Sequence, residues 1–110
     1  MAVGDWWAVP LADGQRGAVQ VIAEDGDVVG LRVGAARWGC DPGPLDVAGL
    51  PSVADHLPVP AARLAGLAFI GKATPPADAL DGGYALWVDG GRQPVIDAPL
   101  PVILGALLAD

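Results

Sequence analysis

The sequence predicts a mainly β protein, a small antiparallel sheet that is partly closed like a barrel and carries one or two short helices. Hydrophobic and polar residues alternate through most of the segment 5–34, which is typical of strands with one buried face. Turn dipeptides interrupt that alternation at Asp13-Gly14 and at Asp25-Gly26. Because the chain has 110 residues, we expect residues 1–110 to form one domain.

The first predicted strand covers about residues 5–11. Trp7 shares one strand face with Val9 and Leu11, so we expect Trp7 in the core. Trp6 then points to the other side, where either a partner or the segment 39–66 would cover it. Pro10 has no amide to donate, so this strand lies at an edge or turns the Pro10 nitrogen away from its neighbour.

The second and third predicted strands, about 17–24 and 28–34, form a hairpin whose turn decides their register. A two-residue loop at Asp25-Gly26 would mix hydrophobic and polar residues on both faces. A three-residue loop, Asp25-Gly26-Asp27, separates the faces and places Gln20 beside Arg32 on the polar one. We therefore predict a single buried face made of Val19, Val21, Ala23, Val29, Leu31 and Val33.

The middle segment, 39–66, is rich in proline and glycine, so we expect mostly loop with two short helical pieces. Ser52 followed by Asp55 resembles a capping arrangement, and Pro60 with Gly66 suits the start and end of a helical turn.

Strands are predicted again at 67–73 and 84–89, and Gly90-Gly91 would turn the chain into a weak edge strand at 92–97. For the tail, 101–110, helix and strand both remain open.

Composition narrows the classes of partner. Thirteen acidic against six basic residues give a net charge of −7. Nucleic-acid binding requires a positive surface, and an anionic membrane would repel this chain, so we expect neither partner. A basic protein would be steered toward it. The acidity could equally serve solubility alone.

The single cysteine and the composition of the N-terminal residues predict a cytoplasmic location. Cys40 is the single cysteine, so no internal disulfide can form. The first residues lack the basic region of a signal peptide, and the longest apolar run is far shorter than the roughly 20 residues of a membrane helix.

Reactive residues are too few to form a recognisable catalytic pattern. One His (His56), one Ser (Ser52) and Cys40 show no motif for a nucleophile, a phosphate loop or a zinc site. The pairs Asp25/Asp27 and Asp78/Asp81 read as turn-forming aspartates. We therefore expect no enzymatic activity, no metal and no cofactor, with a small enzyme that uses a carboxylate pocket as the alternative.

Five loop residues are the candidates for contact with a partner, because loops tolerate change while a sheet holds them in place. Trp38 follows the third strand and would be either an aromatic anchor or a plug at the end of the fold. The acidic candidates are Asp25 and Asp27 at the second turn, and Asp41 and Asp46 after Trp38.

The opening segment carries a resemblance to a known family. Gly4-Asp5 precedes an aromatic-aliphatic strand that ends in Pro10-Leu11, and a short turn at Asp13-Gly14 leads to a second strand from Gly17. This arrangement resembles immunity protein family 26 of bacterial polymorphic toxin systems. A weaker similarity runs through Ile70-Gly71 into the proline-containing loop that follows.

The resemblance implies a small, mainly β protein that binds a cognate toxin and blocks it without catalysing a reaction. An acidic loop surface would then cover a basic toxin cleft. The alternatives from a different class are a small non-catalytic oligomerising β domain and the carboxylate-based enzyme.

Overall fold

A five-stranded antiparallel sheet forms the centre of the computed structural model, which describes residues 2–109. The strands are β1 (Asp5–Pro10), β2 (Arg16–Asp25), β3 (Val28–Gly34), β4 (Ser52–Pro60) and β5 (Ala68–Lys72). Their order across the sheet is β4-β3-β2-β1-β5. The helices are α1 (Pro44–Val47), α2 (Gly83–Asp89) and α3 (Leu100–Leu107), and a 3₁₀ turn spans Ala61–Leu64.

The mainly β class and the meander β1-β2-β3 confirm the sequence prediction, with strand ends within about one residue of those expected. Gln20 lies opposite Arg32, and Val21 lies opposite Leu31, as predicted. Within residues 2–109 the ladder ends at β4 on one side and β5 on the other, so the sheet is open. Partial closure into a barrel stays a prediction.

The β2–β3 turn differs from the prediction. Asp25 pairs with Val28, so the loop is the two-residue Gly26-Asp27, and Gly26 supplies the positive φ of 64° that such a turn uses. A bulge between Val21 and Ala23 provides the extra residue that the sequence prediction places in the loop. Ala23 consequently pairs with Gly30 and turns away from the predicted face.

One sheet face carries the main core, and five of the six residues predicted for it lie there. Helix α3 and the 3₁₀ turn cover this face. Its buried members are Val9, Leu11, Val19, Val21, Val29, Leu31, Val33, Leu57, Val59, Leu64, Leu100 and Leu104.

The opposite face carries a second cluster around Trp6, which is 1% exposed. Ala18 and Val47 are buried with Trp6, while Trp38 and Leu50 pack against them. The segment after β3 thus covers Trp6, which is one of the two arrangements expected for this residue. Trp7 is only partly buried against the main core and meets Phe69 edge-on at 5.3 Å.

Three predicted elements are wrong or were missed. The segment expected to be mostly loop contains β4, whose Pro58 and Pro60 suit an edge strand. The segment 84–89 is helical, because Tyr84 and Trp87, three residues apart, both face His56 on β4. Residues 92–97 form no strand, and the tail is the helix α3.

Ile22 in the bulge gives a direct test of this register. Its side chain is 2% exposed, although strict alternation would place it outward. Ile22→Ala should therefore cost about 2–4 kcal/mol of unfolding free energy, at least as much as Val21→Ala. Denaturant titration of both variants measures this, and a loss at Ile22 well below that at Val21 would contradict the bulged strand.

Candidate functional site

A polar cleft opens on the Trp6 face of the sheet and has a volume of about 310 Å³. It adjoins a hollow of about 490 Å³ that reaches Trp6. Strands β3 and β4 supply one wall, and the segment between β5 and α2 supplies the other. The cleft is lined by Arg32, Ser52, Asp55, Pro76, Asp78, Ala79, Asp81 and Gly82.

Arg32 forms the floor of the cleft and is 6% exposed. Its Nε donates to Gln20 Oε1 at 2.6 Å, and its Nη1 donates to the Leu50 carbonyl and to Ser52 Oγ, both at 2.9 Å. The guanidinium carbon lies 4.6 Å from the centre of the Trp6 ring. All these partners are uncharged, so this buried cation is held by dipoles and an aromatic face.

Burial lowers the pKa of Arg32, and the nearby charge of Asp55 acts in the opposite direction. No carboxylate of residues 2–109 lies within 4.0 Å of the guanidinium, and Nη2 donates no hydrogen bond within that part of the chain. The floor of the cleft therefore carries a positive charge with one nitrogen uncommitted.

Gln20 holds both walls of the cleft in place. It is fully buried, and its Nε2 donates to the carbonyls of Ala73 at 2.8 Å and Gly4 at 3.2 Å. Arg32 donates to the Gln20 side-chain amide and also to Leu50 and Ser52. The Gln20–Arg32 pair therefore anchors segments that are far apart in sequence. The cleft is preformed by this network.

The carboxylates at the rim of this cleft are not neutralised by ion pairs within residues 2–109, because the other basic side chains pair with aspartates elsewhere. Asp55, Asp78 and Asp81 have no basic group within ion-pair distance in the described chain. Each basic residue other than Arg32 pairs with an aspartate elsewhere: Arg16 with Asp41, Arg37 with Asp13, Arg63 with Asp97, Lys72 with Asp5, and Arg92 with Asp25.

Two of the five predicted contact residues lie at the β2–β3 turn. Asp25 is largely buried at its side chain, accepts a hydrogen bond from Tyr84 Oη at 3.0 Å and lies 3.5 Å from Arg92 Nε. Asp27 is exposed at the turn itself. Asp25 thus has a structural role in fastening α2, whereas Asp27 faces solvent.

Two of the other candidates, Trp38 and Asp41, lie at the start of β2, and Asp46 lies in α1. Trp38 pairs with Arg16 through the backbone and is partly buried against the Trp6 cluster. Asp41 contacts Arg16 Nε at 2.9 Å, and Asp46 accepts from the Gly43 amide at 2.7 Å at the start of α1. Since β2 has ten residues, roughly 30 Å of strand separates Trp38 and Asp41 from Asp25 and Asp27.

The structure therefore does not gather the five predicted residues into one surface, and it forms its cleft from others. Sequence reasoning identifies Asp78 and Asp81 only as turn formers. It places Arg32 beside Gln20 but gives no reason to bring either near Asp55. The usable signal was the pairing of Gln20 with Arg32 on the polar face of the predicted hairpin.

An aromatic cluster joins α2 to β4 beside the cleft. The His56 ring lies 5.4 Å from that of Tyr84 and 5.3 Å from that of Trp87. Its Nε2 is buried without a hydrogen-bond partner, close to the position that a side chain on Gly30 would occupy. Burial lowers the pKa of His56 and outweighs the opposing effect of Asp25. His56 accordingly acts as a neutral packing residue.

This burial predicts a pH dependence of stability. Because the folded pKa of His56 lies below its ordinary value of 6.5, the unfolded chain takes up the proton first. The contribution of neutral His56 to the free energy of unfolding should be complete above pH 6.5 and should decline as the pH falls below 6.5. Unfolding free energies measured on both sides of it should show this slope in the native chain and lose it in His56→Gln. A slope unchanged by the substitution would contradict it.

Comparison of the chain with protein-family models, with curated proteins and with solved structures gives no match. Among residues 2–109, no helix has both the length and the apolar character needed to cross a membrane.

Proposed function

We propose that this chain is an immunity protein that binds a cognate bacterial toxin and blocks it without catalysing a reaction. One observation carries the proposal: Asp55, Asp78 and Asp81 rim a single preformed cleft and lack basic partners in the described chain, while the other basic residues are paired elsewhere. Such a surface attracts and orients a basic protein. A cytoplasmic location belongs to the same proposal.

The proposal takes up the resemblance of the opening segment to immunity protein family 26, although no family model matches the chain. Gly4 and Asp5 fix the start of β1, since Asp5 accepts a hydrogen bond from the Ala2 amide at 2.8 Å and the Gly4 amide donates to the Val21 carbonyl at 2.8 Å. In this chain the matched residues thus act as scaffold.

Recognition would proceed in two steps. Exposed carboxylates at the cleft rim accelerate the encounter with a basic toxin surface, and the preformed walls keep the ordering cost of binding low. Asp27 and the Trp38 region are further contact candidates, with Asp25, Asp41 and Asp46 held by the intramolecular bonds described above. Trp38→Ala would act on dissociation if its exposed part meets the toxin.

The test is binding to the product of the neighbouring gene, measured at low and at physiological salt. Asp78→Asn and Asp81→Asn should each slow association severalfold at low salt and flatten its salt dependence. Asp97→Asn is the matched control, because it removes the same charge from a site paired with Arg63. Co-expression should protect cells from the toxin. Absence of a complex, or of protection, would refute the proposed function.

A further inference from the structure

We infer that the cleft is a dipolar site that takes a lysine or arginine residue by both its side-chain cation and its free α-carboxylate. The ligand is therefore a basic C-terminal residue of a partner chain or a free basic amino acid. For a chain terminus, this inference deepens the proposed function and rests on it, because it names the group of the partner that the cleft recognises.

The anionic end of the ligand is indicated by Arg32. A buried guanidinium is normally neutralised by a carboxylate within ion-pair distance. Arg32 is 6% exposed and, within residues 2–109, donates hydrogen bonds only to uncharged groups, while the charge of Asp55 acts on it from beyond 4.0 Å. Its uncommitted Nη2 belongs to a side chain that lines the cleft beside Ser52. A carboxylate placed there would accept a charge-assisted hydrogen bond from Nη2.

The cationic end is indicated by the rim. Asp55, Asp78 and Asp81 line the same cleft, and within residues 2–109 none of them has a basic group within ion-pair distance. A ligand that is only anionic would be repelled by these carboxylates, and one that is only cationic would leave Arg32 without an anion. A ligand with both charges satisfies the two ends together.

The size of the cleft agrees with a single residue. A volume of about 310 Å³ lies at the lower end of the range for ligand sites. Polyanions such as nucleotides would meet three carboxylates at the entrance. Because Gln20 and Ser52 already hold Arg32 in place, the anion-binding end needs little rearrangement.

The experiment uses the purified chain and four small probes, followed by NMR titration. Nα-acetyl-L-lysine carries both charges and should bind with a dissociation constant on the order of 1 mM. Its C-terminal amide lacks the carboxylate and Nα-acetyl-norleucine lacks the ammonium, so each should bind at least about tenfold more weakly. Free L-lysine is the fourth probe. Tighter binding of Nα-acetyl-L-lysine than of L-lysine assigns the site to a chain terminus, and the reverse order assigns it to the amino acid.

Variants locate the binding. Asp78→Asn and Asp81→Asn should weaken binding of Nα-acetyl-L-lysine severalfold, whereas Asp97→Asn should leave it unchanged, because Asp97 does not line the cleft. Equal binding of acid and amide, equal loss in the control, or no binding up to about 20 mM would overturn the inference. Toxin neutralisation without probe binding would overturn the inference alone. Probe binding without neutralisation would refute the proposed function alone.

Discussion

Replacing Arg32 with methionine should lower the free energy of unfolding by about 2–3 kcal/mol. Methionine fills much of the same volume but leaves Gln20 Oε1, the Leu50 carbonyl and Ser52 Oγ without their donor. Buried acceptors that lose a partner carry most of this cost. Equilibrium denaturation in urea measures it.

The matched control for Arg32 is Arg63→Met. Arg63 also makes a short bond to a carboxylate, at 2.8 Å from Asp97, but both side chains are substantially exposed. Ion pairs of this kind contribute about 0–1 kcal/mol, so the control should stay close to the native chain. An equal loss in the two variants would show that the Gln20–Arg32 network does not anchor the cleft walls.

Alanine at Gly4 should destabilise the chain by about 3 kcal/mol. The φ angle of Gly4 is 97°, which a residue with a side chain rarely adopts. A Cβ atom there would lie 2.7 Å from the Ala73 carbonyl oxygen, and a backbone oxygen cannot move aside as a side-chain tip can. The same substitution would also disturb the Gly4 carbonyl, which accepts from the Ala73 amide and from Gln20.

Gly14→Ala separates the two causes. Gly14 has a φ of 83°, yet within residues 2–109 no atom beyond its two chain neighbours lies within 4 Å of the position that a Cβ atom would occupy there. Only the backbone cost of about 1 kcal/mol therefore applies. Thermal and urea unfolding of both variants should therefore differ by the steric contribution at Gly4. Identical losses would mean that the contact with Ala73 is relieved at no cost.

Local signals in the sequence determined the first half of the sheet. Alternation and two glycine-bearing turns predict β1, β2 and β3, and the pairing of Gln20 with Arg32 follows from separating the faces. Both hairpins join neighbouring segments, so the residues that decide their register lie close together in the chain. The bulge at Ile22 was not predictable, because a two-residue loop with a bulge and a three-residue loop give the same pairing from Val21 toward Val19.

Tertiary contacts decided the elements whose local pattern was ambiguous. Residues 84–89 alternate as in a strand, but the spacing of Tyr84 and Trp87 also places both on one face of a helix. The contact of these two rings with His56 favours the helix. The prolines of β4 disfavour a strand until β3 provides a partner on one side only. Alternation favours Trp7 for the core, yet Trp7 is only partly buried, because the segment after β3 covers the other face and buries Trp6.

The sequence alone shows the charge of −7 and the lack of a catalytic motif, and these two features predict a basic protein partner. The sequence does not predict the cleft, because Arg32, Asp55 and Asp78 come from segments that only the tertiary structure brings together. Whether an aspartate faces solvent or is neutralised depends on which cation lies within about 4 Å, and that distance is set by packing. Composition therefore determined the sign of the surface, while the folded chain decided where the uncompensated charge lies.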